Sequence, residues 1–413
     1  MPLVNKNIVI CCDGTGQGYA GTESNVLRLF RALVNQPSYQ IACYEPGIGT
    51  RPDAKSQTPV GRAIRRTATN AFGWGLIDNV EVLYAYLMHN YEPGDRIFLF
   101  GFSRGAFIVR ALAGIVHLCG LLDRRDAHLL TYAAGLYQTS ERRITQELVR
   151  QGRTHLESTG PGPIDHAMFD HEAQRFKTLF ARQCNITFLG IWDTVKAFGQ
   201  LWPRSYPALR HNPSVLAVRH GVSIDERRSF FQVTGWGDAH DEVKEVWFAG
   251  DHSDVGGGHE DKHRALADIT LAWMVGEAAG HGLLLDCSER LAIERAGSTA
   301  AAVASAEPVH NLRRGWSWLL DWCPRVELNN YPYPPRRPIK FWPTGSRQPQ
   351  DHMLRSHVRL HSSVRARRID KSADYHPMNL QGLSDDMIVY EDGPAVVNQK
   401  LSVLDNQPNV LDN

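Results

Sequence analysis

The sequence has almost no excess of charge of either sign. It carries 45 Lys and Arg against 44 Asp and Glu, a formal net charge of +1 over 413 residues. Such a balance provides no long-range field to steer nucleic acid or an anionic membrane, so nucleic acid is not expected as a partner. A local basic cluster at Arg365, Arg367 and Arg368 reads as a solvated helix face.

Long apolar runs are also missing. None approaches the about 20 residues of a membrane-spanning helix, so no transmembrane segment is expected. No signal-peptide core opens the chain: Lys6 interrupts it and Asp13 ends the first apolar run. The expectation is synthesis in the cytoplasm, with any export by a route that reads no cleavable signal.

Cysteine is sparse. The seven thiols are odd in number and none has CxxC spacing, which favours buried free thiols in a reducing compartment over a disulfide framework or zinc site. No metal and no cofactor are expected. Asp251, His252 and Asp254 are weighed as a cation cluster and set aside.

What the sequence does have is a series of buried-looking strands closed by polar residues. NIVICC runs into Asp13-Gly14-Thr15-Gly16, RIFLFGF into Ser103, NITFLGIW into Asp193, and EVWFAGD into His252. Helical spacing starts after Ser24, an N-cap candidate, and recurs over about 75–91, 106–122 and 265–282, the last read as amphipathic. The stretch between Asp193 and Val243 reads as an aromatic, proline-rich loop followed by a helix. Strands alternating with helices predict an α/β fold, a mostly parallel sheet with helices on both faces. Ligands bind such sheets at the carboxyl ends of the strands. The expected organisation is a catalytic domain over 1–295, with a helical insertion at 123–180. Cap or lid and C-terminal elements follow over 296–390, with a weakly ordered tail over 391–413.

Gly101-Phe102-Ser103-Arg104-Gly105 is a GxSxG string in the context it requires, after a strand and before an apolar helix. A turn tight enough to expose the serine brings helix and strand backbones together, and side chains two positions either side would collide. Ser103 is therefore the candidate nucleophile. A serine needs a base, and the base an orienting carboxylate. In the order Ser, Asp, His, the strand-end residues are Asp193 and His252. His361 is the rival base, with Asp251 or Asp254 as its acid. The Arg104 N–H is the first oxyanion donor, and Gly14 or Thr15 the second. The Asp13 loop keeps open phosphoryl transfer through an aspartyl nucleophile. Trp316, Trp318 and Trp322 are candidates for a lid over the mouth of the site.

ICCDGTGQG, YEPGIGT, GFSRGA, FLGIWDTV, RHGVSIDERR and WFAGDHSDVGGGH, in this order, resemble the α/β-hydrolase domain of the type VI secretion phospholipase effectors and their bacterial and fungal relatives. The resemblance runs from about Ile8 to His259. It implies a serine esterase or lipase with the triad Ser103, Asp193 and His252. Two positions depart from the family pattern: Gly16 replaces a large aromatic and His259 replaces a tyrosine. The expected substrate is a lipid, phospholipid foremost, with a small soluble acyl ester as the alternative. A catalytically silent interaction protein on the same fold is the third reading. For an effector, the resemblance implies a secretion-apparatus or immunity partner.

Overall fold

The computed structural model describes residues 5–14, 22–47, 76–150, 170–195, 209, 211–228, 231, 233–237, 241–303, 309–310, 325–326, 339–340, 347, 357–370, 375–381 and 383–392. Eight strands form one sheet: β1 (Asn7–Cys12), β2 (Gln40–Glu45), β3 (Arg96–Phe102), β4 (Ile186–Trp192), β5 (Val218–Ser223), β6 (Val243–Phe248), β7 (Val358–His361) and β8 (Ile388–Glu391). The order is β8-β7-β6-β5-β4-β3-β1-β2, and every pairing is parallel. The architecture is α/β-hydrolase-like, as the sequence predicts. After β2 the chain returns to pair on the other flank of β1, so the winding reverses between β1 and β3. A crevice opens at such a switch point, beyond the strand ends. β1 leads there into Asp13 and β3 into Ser103.

Alternation along the strands supplies two cores. Ile8, Ile10, Ile97 and Leu99 face one side, while Val9, Cys11, Phe98 and Phe100 face the other. The first face is covered by α2 (Leu76–Asn90), α3 (Arg104–Cys119), α4 (Leu130–Arg150) and α5 (His171–Phe180). The second is covered by α1 (Asn25–Arg31), α7 (Ala265–Gly280) and α8 (Cys287–Val303). Ser24 caps α1 as its position suggests, accepting the Leu27 N–H at 3.1 Å. Helices of the 123–180 stretch join the first core directly through Ala133, Leu136, Tyr137, Ala173 and Phe176.

Four local expectations fail. β5 lies where a helix is expected, because Arg219 and His220 interrupt its apolar pattern. Both are buried and partnered, Arg219 with Glu277 at 2.5 Å and His220 with Glu245 at 2.8 Å. α7 is buried on nearly every side rather than amphipathic, since α8 covers its outer face; a Cβ at Gly297 would lie 2.3 Å from the Ala272 Cβ. β7 and β8 fall in the region read as cap and C-terminal elements, yet they extend the central sheet; each has only four residues, too few for a clear period. Finally, β6 ends at Phe248, and His252 opens a short helix, α6 (His252–Gly256).

Candidate active site

Ser103 sits in the turn between β3 and α3 with φ 58° and ψ −121°, a backbone state that residues with a side chain rarely adopt. Its N–H donates to the Trp192 carbonyl at 3.0 Å, which fastens the turn to β4. Both flanking glycines are sterically required. A Cβ at Gly101 would lie 2.7 Å from Ala106 backbone, and one at Gly105 would lie 2.1 Å from the Cys12 carbonyl oxygen. The crowding expected from the GxSxG string is present, although Gly105 meets the end of β1 rather than its own strand. The Ser103 hydroxyl does not cap α3. It lies 2.8 Å from His252 Nε2.

His252 Nδ1 lies 2.5 Å from Asp193 Oδ2. An ionised carboxylate only accepts, so the proton resides on Nδ1, which donates to Asp193, and Nε2 accepts from the Ser103 hydroxyl. The imidazole is buried between two rings, Phe102 and Phe231, each with its centroid 4.6 Å away. Asp251 caps α6 in a reciprocal capping box with Asp254 and fixes where the His252 backbone begins. Gly256 lets α6 lean on Phe102, since a Cβ there would lie 1.9 Å from the ring.

Asp193 follows the last residue of β4 at φ 42° and is wholly buried. Besides His252 it accepts the Ser223 N–H at 2.9 Å and both Arg347 terminal nitrogens, Nη1 at 2.5 Å and Nη2 at 3.0 Å. Burial alone would push the Asp193 carboxyl up. The Arg347 guanidinium foremost, with His252, outweighs it and holds the carboxyl well below the usual carboxylate range. Arg347 is itself buried, and also donates to Ser223 Oγ at 2.7 Å and to the Phe231 carbonyl at 2.6 Å.

The structure thus brings Ser103, Asp193 and His252 together. Arg104 opens α3, at the helix end that favours developing negative charge; burial pulls its side chain down to about 10. The Gly14 N–H donates to Asp13 Oδ1 at 2.7 Å, so this amide is already engaged. Gly14 instead gives room to the serine, as a Cβ there would lie 3.1 Å from the Ser103 Cβ. Thr15 and the lid candidates Trp316, Trp318 and Trp322 lie outside the described residues.

Asp13 itself is a buried tie. It accepts from Ser24 Oγ at 2.5 Å, Tyr44 Oη at 2.7 Å and Gly14, and burial pushes its carboxyl up despite these bonds. A carboxylate so occupied is poorly disposed to be a phosphoryl-transfer nucleophile. The rival His361 caps α9 (Ser362–Ile369), makes a 2.9 Å hydrogen bond with Ser363 Oγ and stacks on Phe248 at 4.7 Å. Its suggested acids, Asp251 and Asp254, bond instead to His259 and His310.

Arg347 and Phe231 have no signal in the sequence; Arg347 is 154 residues from the carboxylate it holds. The expectation of no metal overlooks one string. His259-Glu260-Asp261-Lys262-His263 has HExxH spacing. It does not lie on an α-helix, since Asp261–His263 is a 3-10 turn.

Among known proteins, the family model for the type VI secretion phospholipase effector Tle1-like catalytic domain matches residues 6–277. The uncharacterized protein YEL023C of Saccharomyces cerevisiae is 33% identical over 236 residues, covering 55% of this chain and 32% of that protein. The chain thus matches about a third of that relative's length. Two solved structures overlap it more loosely. One is an uncharacterized protein from Pseudomonas aeruginosa, at TM-score 0.39 and 21% identity over 74% of this chain and 51% of that one. The other is the Tle1 effector bound to the VgrG spike of the type VI secretion system, at TM-score 0.40 and 15% identity over 83% of this chain and 90% of that one. Overlaps this loose do not transfer residue roles. The family match spans most of the chain and contains the Ser103, Asp193 and His252 constellation: this chain belongs to the Tle1-like phospholipase effector catalytic-domain family.

Proposed function

We propose that the domain hydrolyses carboxylic esters of lipids, phospholipids foremost, through an acyl-enzyme on Ser103. The observation that carries this reading is the position of His252, hydrogen-bonded to Ser103 on one nitrogen and to Asp193 on the other. The Ser103 oxygen attacks the ester carbonyl carbon as its proton passes to His252 Nε2. The tetrahedral oxyanion is held by the Arg104 N–H at the start of α3. Collapse breaks the bond to the alcohol, which leaves with the proton from His252. Water then attacks the acyl carbon, gives a proton to His252, and the acid departs as that proton returns to Ser103. Asp193 holds the imidazole in the required tautomer throughout.

The test combines a fluorophosphonate probe with a panel of phospholipid vesicles and p-nitrophenyl esters. Labelling at Ser103, and acid release from vesicles that Ser103→Ala abolishes, is the expected result. Folded protein that neither labels nor turns over any ester would refute the reading.

A further inference from the structure

The short helix α6, which carries His252, also carries Asp254, part of a second cluster of chemically able side chains. Asp254, His259 and His310 bring three ligand atoms within 4.8 Å of one another. His310 Nδ1 lies 2.7 Å from Asp254 Oδ1, and His259 Nε2 lies 3.5 Å from the same oxygen. The two imidazoles stack at 4.1 Å, and His263 stands edge-on to His310 at 5.4 Å. Asp251 adds a fourth donor at the rim, with Oδ1 3.3 Å from His259 Nε2. Its other oxygen, Oδ2, is buried with no hydrogen-bond partner among the described residues. Two carboxylates, each 2% exposed or less, thus adjoin two imidazoles.

Ligands about 2.0–2.1 Å from a tetrahedral cation stand roughly 3.3 Å apart. The 3.5 Å His259–Asp254 separation is close to that spacing. The 2.7 Å His310–Asp254 contact, the length of a hydrogen bond, must open as a cation replaces the shared proton, and Asp251, 3.3 Å from His259, must close on the other two ligands to join them. Imidazole nitrogens mixed with carboxylate oxygens suit zinc. Calcium and magnesium prefer oxygen alone. We propose that Asp254, His259 and His310, with Asp251 at the rim, form a binding site for a divalent cation of the zinc class that ties the segment after α8 to the turn carrying His252. His310 is 56 residues beyond Asp254, so the cation would reinforce a hydrogen-bonded tie between two parts of the chain far apart in sequence. His252 lies between Asp251 and Asp254, and a cation there fixes the base from behind without touching the reacting atoms. The HExxH string contributes His259 as a ligand. Its glutamate is spent elsewhere, since Glu260 pairs with Lys262 on the surface at 3.0 Å.

The test does not depend on the esterase reading. Tag-free protein is stripped with a chelator, dialysed and titrated with zinc by calorimetry, while the untreated protein is analysed for metals. The expected results are binding of about one equivalent, a melting temperature raised by several degrees over the chelated protein, and no competition from millimolar magnesium or calcium. His310→Ala and His259→Ala, at partly exposed positions, should each weaken zinc binding at least about 100-fold, whereas His281→Ala leaves it unchanged. Absence of saturable zinc binding in the wild type would overturn the proposal whatever the variants do. So would an affinity that survives both His310→Ala and His259→Ala, which would place the metal on other surface histidines.

Discussion

Arg347→Met is the most informative perturbation. Arg347 is 8% exposed and Asp193 is 0% exposed, and two guanidinium nitrogens meet the two carboxylate oxygens. Breaking a buried ion pair from one side leaves the other charge uncompensated and costs about 3–5 kcal/mol. The pH dependence has a definite sign. The folded Asp193 carboxyl is held below its unfolded value of about 3.9, so its contribution is complete above that pH and is lost as pH falls toward the folded value. In the variant, burial acts on Asp193 without the guanidinium. The gap between wild type and variant is therefore widest near neutral pH and closes below about pH 4. Urea unfolding at several pH values measures it, with the midpoint shifting at constant m. Asp193→Asn combined with Arg347→Met should fall well short of the sum of the two single losses. A loss under about 1 kcal/mol, or a gap that does not change between neutral and acid pH, would refute the reasoning.

Other outcomes follow from the same geometry. Ser103→Ala should lower ester hydrolysis by about 10³-fold or more with an unchanged urea midpoint, and substantial turnover in folded protein would remove Ser103 from its role. Ser103→Gly should be equally inactive yet more stable by about 1 kcal/mol, because glycine accepts the φ of 58° without strain; equal stability would mean the turn is unstrained. Gly105→Ala places a Cβ 2.1 Å from the Cys12 carbonyl, with backbone on both sides of the clash. It should destabilise by about 3 kcal/mol or more, read from the melting curve, and a neutral outcome would contradict the elbow geometry. Burial pulls His361 down to about 4, so the native state favours its neutral form. That contribution, about 3 kcal/mol, is present above about pH 6.5 and fades as pH falls toward 4. His361→Gln should flatten this slope while retaining activity, whereas lost turnover would return His361 to candidacy as the base.

The sheet was legible where strands are apolar on both faces. NIVICC, RIFLFGF and NITFLGIW declare themselves because helices cover both sides of the sheet, so no polar alternation is needed. β5 was not legible because its burial is satisfied by ion pairs. Arg219 reaches Glu277, and His220 reaches Glu245 while accepting the Thr194 N–H at 3.2 Å. A hydropathy pattern reads such residues as solvent-facing. The candidate nucleophile was legible because its constraint is local: two glycines within two residues of Ser103 meet backbone directly. Asp193 and His252 were reachable through the rule that function gathers at strand ends, although His252 stands four residues past the end of β6.

Arg347 shows why the rest stayed hidden, and why it matters chemically. A wholly buried carboxylate tends toward its protonated form, since desolvation penalises the charge. Protonated, Asp193 would offer a hydroxyl to His252 Nδ1 and turn that nitrogen into an acceptor. The imidazole proton would then sit on Nε2, facing Ser103, and the ring could not take the serine proton. A base that is to take the Ser103 proton must begin neutral, so on the proposed mechanism His252 is no constant source of positive charge. Arg347 supplies it permanently, so Asp193 stays ionised and Nε2 stays free to accept. On the proposed mechanism this guanidinium is a positioning residue, acting through the tautomer of the base rather than on substrate. Nothing in its own sequence neighbourhood, Gly345-Ser346-Arg347-Gln348, marks that role. It arises because the fold delivers a residue from 154 positions away to a buried carboxylate that needs a constant partner.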